Sequence, residues 1–244
     1  MLSSTRPGGS LSPTTLVLLP GLDGTGNLFA TFASAVTPTL NTTIVRYPKD
    51  RSLSYDELFP SAVDAIPQAQ PFVILAESFS TPLAVRLAST NPQNLKALVI
   101  CAGFVRNPLR GWLRYLKKLA QPELFRIPPP RFLVEHFLIG TQAPRDLRDE
   151  ICCTMRSVSP NVMAFRVRSV MACDVTAELA RVRVPTLYLQ AEHDRLVSKS
   201  SFEVIREVKP DTVLKVIAAP HFVLQREPYK AANVIVPFIE GLPG

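Results

Sequence analysis

Ser78 lies in Ala76-Glu77-Ser78-Phe79-Ser80, between an apolar run, Phe72-Val73-Ile74-Leu75, and a helix-like stretch, Pro82-Leu83-Ala84-Val85-Arg86-Leu87-Ala88. A serine hydroxyl is a weak nucleophile at neutral pH. It needs a base to take its proton, and that base needs a group to orient it. A sharp, strained strand-to-helix turn presents such a serine, provided the residues two before and two after it are small. Glycine usually fills both places; here they hold Ala76 and Ser80. The expected chemistry is attack on a carbonyl, with an acyl group passing through the serine.

The chain has three histidines, His136, His193 and His221. His221 follows the apolar run at 213–217 in Ala218-Ala219-Pro220-His221-Phe222, a loop at a strand's carboxyl end, and is the candidate base. His136 reads as a packing residue of a helix and His193 as a solvated one. The candidate orienting carboxylate is Asp194, in the loop Ala191-Glu192-His193-Asp194-Arg195-Leu196-Val197 after the run at 186–190. Glu192, nearer the strand end, competes for that role. The loop Ala102-Gly103-Phe104 carries no carboxylate. The chain order is therefore serine, acid, histidine.

An oxyanion forming at the attacked carbonyl needs preorganised N–H donors. The loop Leu19-Pro20-Gly21-Leu22-Asp23-Gly24-Thr25-Gly26 follows the first apolar run, and its glycines allow the backbone to turn back over the serine. The backbone N–H groups of Leu22 and Phe79 are the candidate donors. The competing reading of this loop is a tight strand-to-helix turn and nothing more. A phosphate cradle is the weakest reading, because the Lys-Ser/Thr ending of a P-loop is missing and G-x-G-x-x-G is not matched.

These residues need a frame. Short β-rich runs at 15–19, 43–47, 72–76, 97–101, 186–190 and 213–217 alternate with helical patterns near 27–36, 55–65, 81–89, 198–208 and 229–240. Such alternation predicts an α/β fold with a doubly wound, mostly or entirely parallel six-stranded sheet. The runs are near-continuously apolar, as strands covered on both faces are. Ligands of such sheets bind beyond the carboxyl ends of the strands, where Ser78 falls. Residues 105–175 break the rhythm with proline-punctuated helical pieces. They predict an all-helical lid between a first core part, 15–104, and a second, 176–244. Residues 1–14 read as a disordered lead. Phe132, Leu133, Phe137 and Phe165 of the insertion are the candidate walls of a substrate pocket.

At 244 residues, 47% hydrophobic and 19% charged, the chain can bury one sizeable core and is not a disordered polymer. No apolar run approaches the roughly 20 residues that span a bilayer, and residues 1–13 lack the apolar core of a secretory signal. Cys101, Cys152, Cys153 and Cys173 show no metal-type spacing and read as buried thiols of a reducing compartment. A cytoplasmic protein without metal or cofactor is expected. The formal net charge of +7 is uneven: 14 of the 27 Lys/Arg but 7 of the 20 Asp/Glu lie between positions 105 and 183. Arg110, Arg114, Lys117 and Lys118 share one helical face opposite Trp112, Tyr115, Leu116 and Leu119. That basic amphipathic stretch reads as a solvated lid surface, as a docking face for an anionic acyl carrier, or as a membrane contact. Nothing interleaves aromatics with basic residues as nucleic-acid binding requires.

Taken together, Ser78, Asp194, His221 and the insertion resemble the α/β-hydrolase family of serine-esterase type, over nearly the whole chain. The resemblance implies a nucleophile, acid and base at those three residues, an oxyanion hole at Leu22 and Phe79, and a helical cap. Three departures stand out. Ala76 and Ser80 replace glycines, Pro20 stands where many members carry histidine, and no room precedes Thr15 for the usual N-terminal strand pair. The last implies a minimal, all-parallel sheet. Serine at the elbow excludes the epoxide hydrolases and haloalkane dehalogenases of this fold, which use aspartate. The expected activity is hydrolysis of short- to medium-chain carboxylic esters without a cofactor. Alternatives are a thioesterase or esterase acting on carrier- or coenzyme A-bound acyl groups, an acyltransferase (the Pro-Gly-Leu-Asp-Gly-Thr-Gly loop resembles that of plant phytyl ester synthases), and a binding protein on the same fold. The basic lid is similar in architecture to that of esterases acting on carrier-bound pimelate.

Overall fold

The computed structural model describes residues 14–108, 120–127 and 130–242. Six strands form one sheet: β1 (Thr15–Leu19), β2 (Asn41–Ile44), β3 (Phe72–Glu77), β4 (Leu95–Cys101), β5 (Thr186–Ala191) and β6 (Val213–Ile217). Every pairing is parallel, and the spatial order is β2-β1-β3-β4-β5-β6. The all-parallel sheet expected from the apolar runs is the one found. β2 begins and ends earlier than the run at 43–47 suggests. After Ile44 the chain stays extended but bends toward the end of β1, with the Val45 N–H on the Leu18 carbonyl at 2.9 Å and the Tyr47 N–H on that of Gly24 at 2.7 Å.

Side chains of successive strand residues point to opposite faces, so each apolar run supplies two cores. Val17, Leu19, Ile74, Ala76, Leu98, Ile100 and Tyr188 face one side with Leu58, Leu83, Phe202 and Ile205. Those four lie on α2 (Tyr55–Asp64), α3 (Thr81–Ser89) and α9 (Ser200–Val208). Leu16, Leu18, Val73, Leu75, Val99 and Leu189 face the other side with Phe32 and Ile235. These belong to α1 (Ala30–Val36) and α11 (Pro228–Glu240). The layered packing fixes the register in which the strands end together: Leu19 pairs with Ala76, Glu77 with Cys101, and Ala191 with Ile217. The loops carrying Leu22, Ser78, Asp194 and His221 therefore leave one edge of the sheet.

The chain winds outward in one direction from β1 to β2 and in the other from β3 to β6. The switch between β1 and β3 opens a crevice at their carboxyl ends. It receives the glycine-containing loop from one strand and Ser78 from the other.

Between β4 and β5 lie α4 (Pro122–Arg126), α5 (Arg131–Val134), a π-type turn (Glu135–Ile139), α6 (Arg145–Arg156) and α7 (Pro160–Ala172), with α8 (Thr176–Leu179) leading back to the sheet. An antiparallel bridge between Arg106 and Asp174 closes the neck of this insertion. The short α10 (Val223–Arg226) follows His221. The cysteines are not uniformly buried, contrary to expectation: Cys101 and Cys152 are, Cys153 is exposed and Cys173 half-buried. Hydrophobicity of a helix gives no direction to a thiol on it; Cys153 lies one step round α6 from the buried face of Ile151 and Cys152. Among the described residues no helix is long and apolar enough to cross a membrane.

Candidate active site

Ser78 follows the last residue of β3 and opens a single 3₁₀ turn, Ser78–Ser80, that runs into α3. Its φ is +46°, a region that costs a residue with a Cβ of order 1–3 kcal/mol and persists where surrounding packing enforces it. The buried Phe79 side chain does so from below, stacked on Tyr55 with centroids 5.0 Å apart and edge-on to Tyr47 at 6.2 Å. The Tyr55 hydroxyl donates to the Phe79 carbonyl at 2.9 Å. Ser80, fully buried, gives its hydroxyl proton to the Pro20 carbonyl and lies 2.8 Å from the Tyr47 hydroxyl.

The loops of Asp194 and His221 are joined by backbone hydrogen bonds, Glu192 N–H to the Ile217 carbonyl at 2.9 Å and His193 N–H to that of Ala219 at 3.0 Å. His221 is 3% exposed, its Nδ1 2.7 Å from Asp194 Oδ2 and its Nε2 3.0 Å from Ser78 Oγ. Asp194 is held by its other oxygen, which accepts the N–H groups of Leu196 at 2.8 Å and Val197 at 2.9 Å. With Nδ1–H donating to the carboxylate, Nε2 offers its lone pair to the serine hydroxyl. Burial alone would push the imidazole pKa down. The charge and hydrogen bond of Asp194, with the charge of Glu77, outweigh it and hold the pKa above 6.5. Glu192 and His193 are exposed, and His136 packs against Phe137 on the insertion.

The loop after β1 is fastened on every side of Leu22. Pro20 is held by Ser80 as above, and Glu77 accepts the Gly21 N–H. From α7, the buried Arg166 donates through Nη1 to the carbonyls of Leu22 at 2.9 Å and Asp23 at 2.6 Å, and through Nη2 to that of Pro48 at 2.9 Å. Asp23 turns its carboxylate to the N–H and hydroxyl of Thr25. Gly24 has φ +69°, and a Cβ there would come within 2.5 Å of Arg166 Nη1, so glycine is demanded twice over. No partner for the Leu22 N–H is seen among the described residues.

Above Ser78 is a cavity of about 220 Å³. Hydrocarbon and thioether line it, chiefly Leu28, Phe104, Leu138, Met155, Met163, Val167 and Met171, with Glu77, Ser78 and His221 on its floor. The expected pocket walls are a correction. Phe132, Leu133, Phe137 and Phe165 are not among the lining residues. Phe132 is 65% exposed and Leu133 and Phe137 each 36%, because this part of the insertion turns Val134 and Ile139 inward instead. Phe165 lies under the Arg168 guanidinium. The walls come from α6, α7 and the loops at the sheet edge. The basic face Arg110, Arg114, Lys117 and Lys118 lies outside the described residues.

Sequence reading gave no role to Glu77, Tyr47 and Arg166, and took Ser80 only as a small residue in place of glycine. Glu77 is 3% exposed, and burial pushes its carboxyl from 4.5 up to about 7, opposed by the His221 charge and by hydrogen bonds from Gln225 and the Gly21 N–H. Arg166 shares its helix with a second arginine, Arg168, and nothing in the sequence marks which of the two turns inward.

No curated protein is significantly similar to the chain in sequence. Solved structures share its fold. A lipase-esterase related protein from Clostridium acetobutylicum superposes with a TM-score of 0.75 at 16% identity, over 93% of this chain and 95% of that one. A membrane phospholipase A described as a bacterial virulence factor gives 0.79 at 19%, over 96% and 81%. MenH from S. aureus gives 0.75 at 15%, over 95% of each. The family model described as serine aminopeptidase, S33 matches residues 55–224, which span the strained serine, the insertion, Asp194 and His221. On that match and this fold, the chain belongs to the serine aminopeptidase S33 family of α/β-hydrolases.

Proposed function

We propose that the protein is a serine hydrolase that cleaves carboxylic esters of short to medium acyl chains. The observation that carries this reading is the imidazole of His221 bridging Ser78 Oγ at 3.0 Å and Asp194 at 2.7 Å beneath an apolar cavity. Ser78 Oγ attacks the ester carbonyl carbon while its proton passes to His221 Nε2, and the carbonyl π electrons become an oxyanion facing the Leu22 and Phe79 N–H groups. Collapse of that intermediate breaks the ester C–O bond, and the leaving alkoxide takes the proton from His221. The acyl group now sits on Ser78. Water repeats the sequence and releases the acid. Asp194 keeps its charge throughout and holds the imidazole in the productive tautomer.

The cavity supports a neutral acyl group over a charged one, since among the described residues its walls are hydrocarbon and thioether and its two carboxylate residues, Asp23 and Glu77, lie on the loop and the floor. Three methionines in the wall, Met155, Met163 and Met171, suit a flexible chain because thioether side chains repack readily. Residues 105–175 would act as the lid that excludes water from the acyl group. Initial rates on p-nitrophenyl esters of graded length test the reading. Turnover that depends on Ser78 and peaks at an intermediate length supports it. Inertness toward every ester, with cleavage of aminoacyl amides instead, would replace it by the peptidase activity named for the family.

A further inference from the structure

We propose that Arg166 is a positioning residue for the oxyanion hole, setting the Leu22 N–H from the insertion rather than from the hydrolase core. The inference rests on the reading of Ser78 as nucleophile and goes beyond it, because Arg166 belongs to α7 and does not touch the reacting atoms. Three features support it. First, its guanidinium is 2% exposed yet is hydrogen-bonded to three main-chain carbonyls, those of Leu22, Asp23 and Pro48, and to no carboxylate. Burying a cation that way is costly, and packing alone would be served better by methionine or leucine. Second, the fork geometry of arginine matters here. One terminal nitrogen bridges two successive carbonyls while the other reaches back to Pro48, a pattern a lysine ammonium cannot reproduce. Third, the aromatic rings that support the serine also hold the cation, with Cζ 5.7 Å from the centroids of both Tyr47 and Phe79.

The consequence is geometric. Peptide groups are planar, so a carbonyl held in place limits the neighbouring units. The Leu22 N–H lies between the peptide held by Glu77 and Ser80 on one side and the two carbonyls held by Arg166 on the other. With those fixed, the N–H keeps its aim without reorganising as charge develops, and that is the condition for an oxyanion donor to be effective. The same bonds make the seating of α7 a requirement for activity. A lid helix that lifts away takes the guanidinium with it and frees the loop.

The test compares Arg166→Lys and Arg166→Met with wild type for kcat and KM on a p-nitrophenyl ester, and for affinity to an alkylboronic acid. The boron of that probe accepts Ser78 Oγ to give a tetrahedral anion. A misplaced donor costs about 10- to 100-fold. We expect kcat to fall by that factor, KM to stay within about threefold, and boronate affinity to fall in parallel with kcat. Unchanged kcat, or a kcat loss with boronate affinity intact, overturns the proposal. Should neither variant fold, wild-type protein decides by NMR. Resolved Arg166 Nη–H resonances that shift on boronate addition support the proposal, and averaged or unresponsive ones overturn it. Ser78→Ala separates the two levels: an active Ser78→Ala removes the nucleophile reading itself, whereas an inactive one beside a fully active Arg166→Lys removes only the role of Arg166.

Discussion

The hydroxyls of Tyr47 and Ser80 are 2.8 Å apart in the buried space under the serine turn. Ser80 has a single proton and gives it to the Pro20 carbonyl, so Tyr47 must be the donor in the pair. The residue standing where glycine is customary thus ties the serine turn to the loop after β1 and to the chain beyond β2. Ser80→Gly leaves a buried carbonyl and a buried phenol without their partner, at a cost of about 1–3 kcal/mol. Denaturant unfolding should find the variant less stable by that amount. A variant as stable as wild type would mean the bonds are replaced by water.

The pH profile carries a sign. Only neutral His221 can take the serine proton, and its pKa is held above 6.5 despite burial, by Asp194 and Glu77. The acidic limb of kcat/KM should therefore lie above pH 6.5. Asp194→Asn removes the main raising influence and the tautomer control together. The limb should move toward lower pH while kcat drops by on the order of 10⁴, as in the best-characterised triad. A mild loss would return the acid role to Glu192.

Glu77 makes a separate prediction about stability. Its folded pKa of about 7 exceeds the ordinary 4.5, so between those values the folded chain binds more protons than the unfolded one. Stability falls as pH rises through that window, by about 3 kcal/mol in all. Glu77→Gln cannot titrate. Its melting temperature relative to wild type should climb between pH 4.5 and 7 and level off above. A pH-independent difference would show that Glu77 stays ionised in the fold.

How much of this was legible beforehand follows from the range of the forces involved. The strands announced themselves because burial on both faces leaves Val, Ile and Leu in unbroken runs, as in Phe72-Val73-Ile74-Leu75. Ser78, Asp194 and His221 could be picked out because each follows such a run, and parallel strands end on one edge. Pocket walls were not legible. The residues 132, 133 and 137 are as hydrophobic as any in the chain, but hydrophobicity does not say which way a short helix faces, and Val134 and Ile139 took the inside. Nor was Arg166 legible: it meets Leu22 across 144 positions, and no local pattern encodes such a contact. In a count of charges it was one of the 14 cations between positions 105 and 183.

The proposed function predicts that the cavity limits acyl length. Val167 lines it from α7, and Val167→Phe would fill part of its roughly 220 Å³. Rates on acetyl esters should change little, while those on the longest accepted chains should fall at least tenfold, about 1.4 kcal/mol of lost binding in the transition state. The crossover is read from kcat/KM across the p-nitrophenyl series. An equal loss at every length would place the acyl chain elsewhere.

The central claim is that Ser78 is the nucleophile, and one measurement bears on it most directly: labelling with a fluorophosphonate, followed by mass analysis of the peptides, beside ester turnover by Ser78→Ala. The account predicts a single adduct on Ser78 and, for the folded variant, neither adduct nor turnover. A label on another residue, or a Ser78→Ala protein that keeps most of its activity, would contradict it.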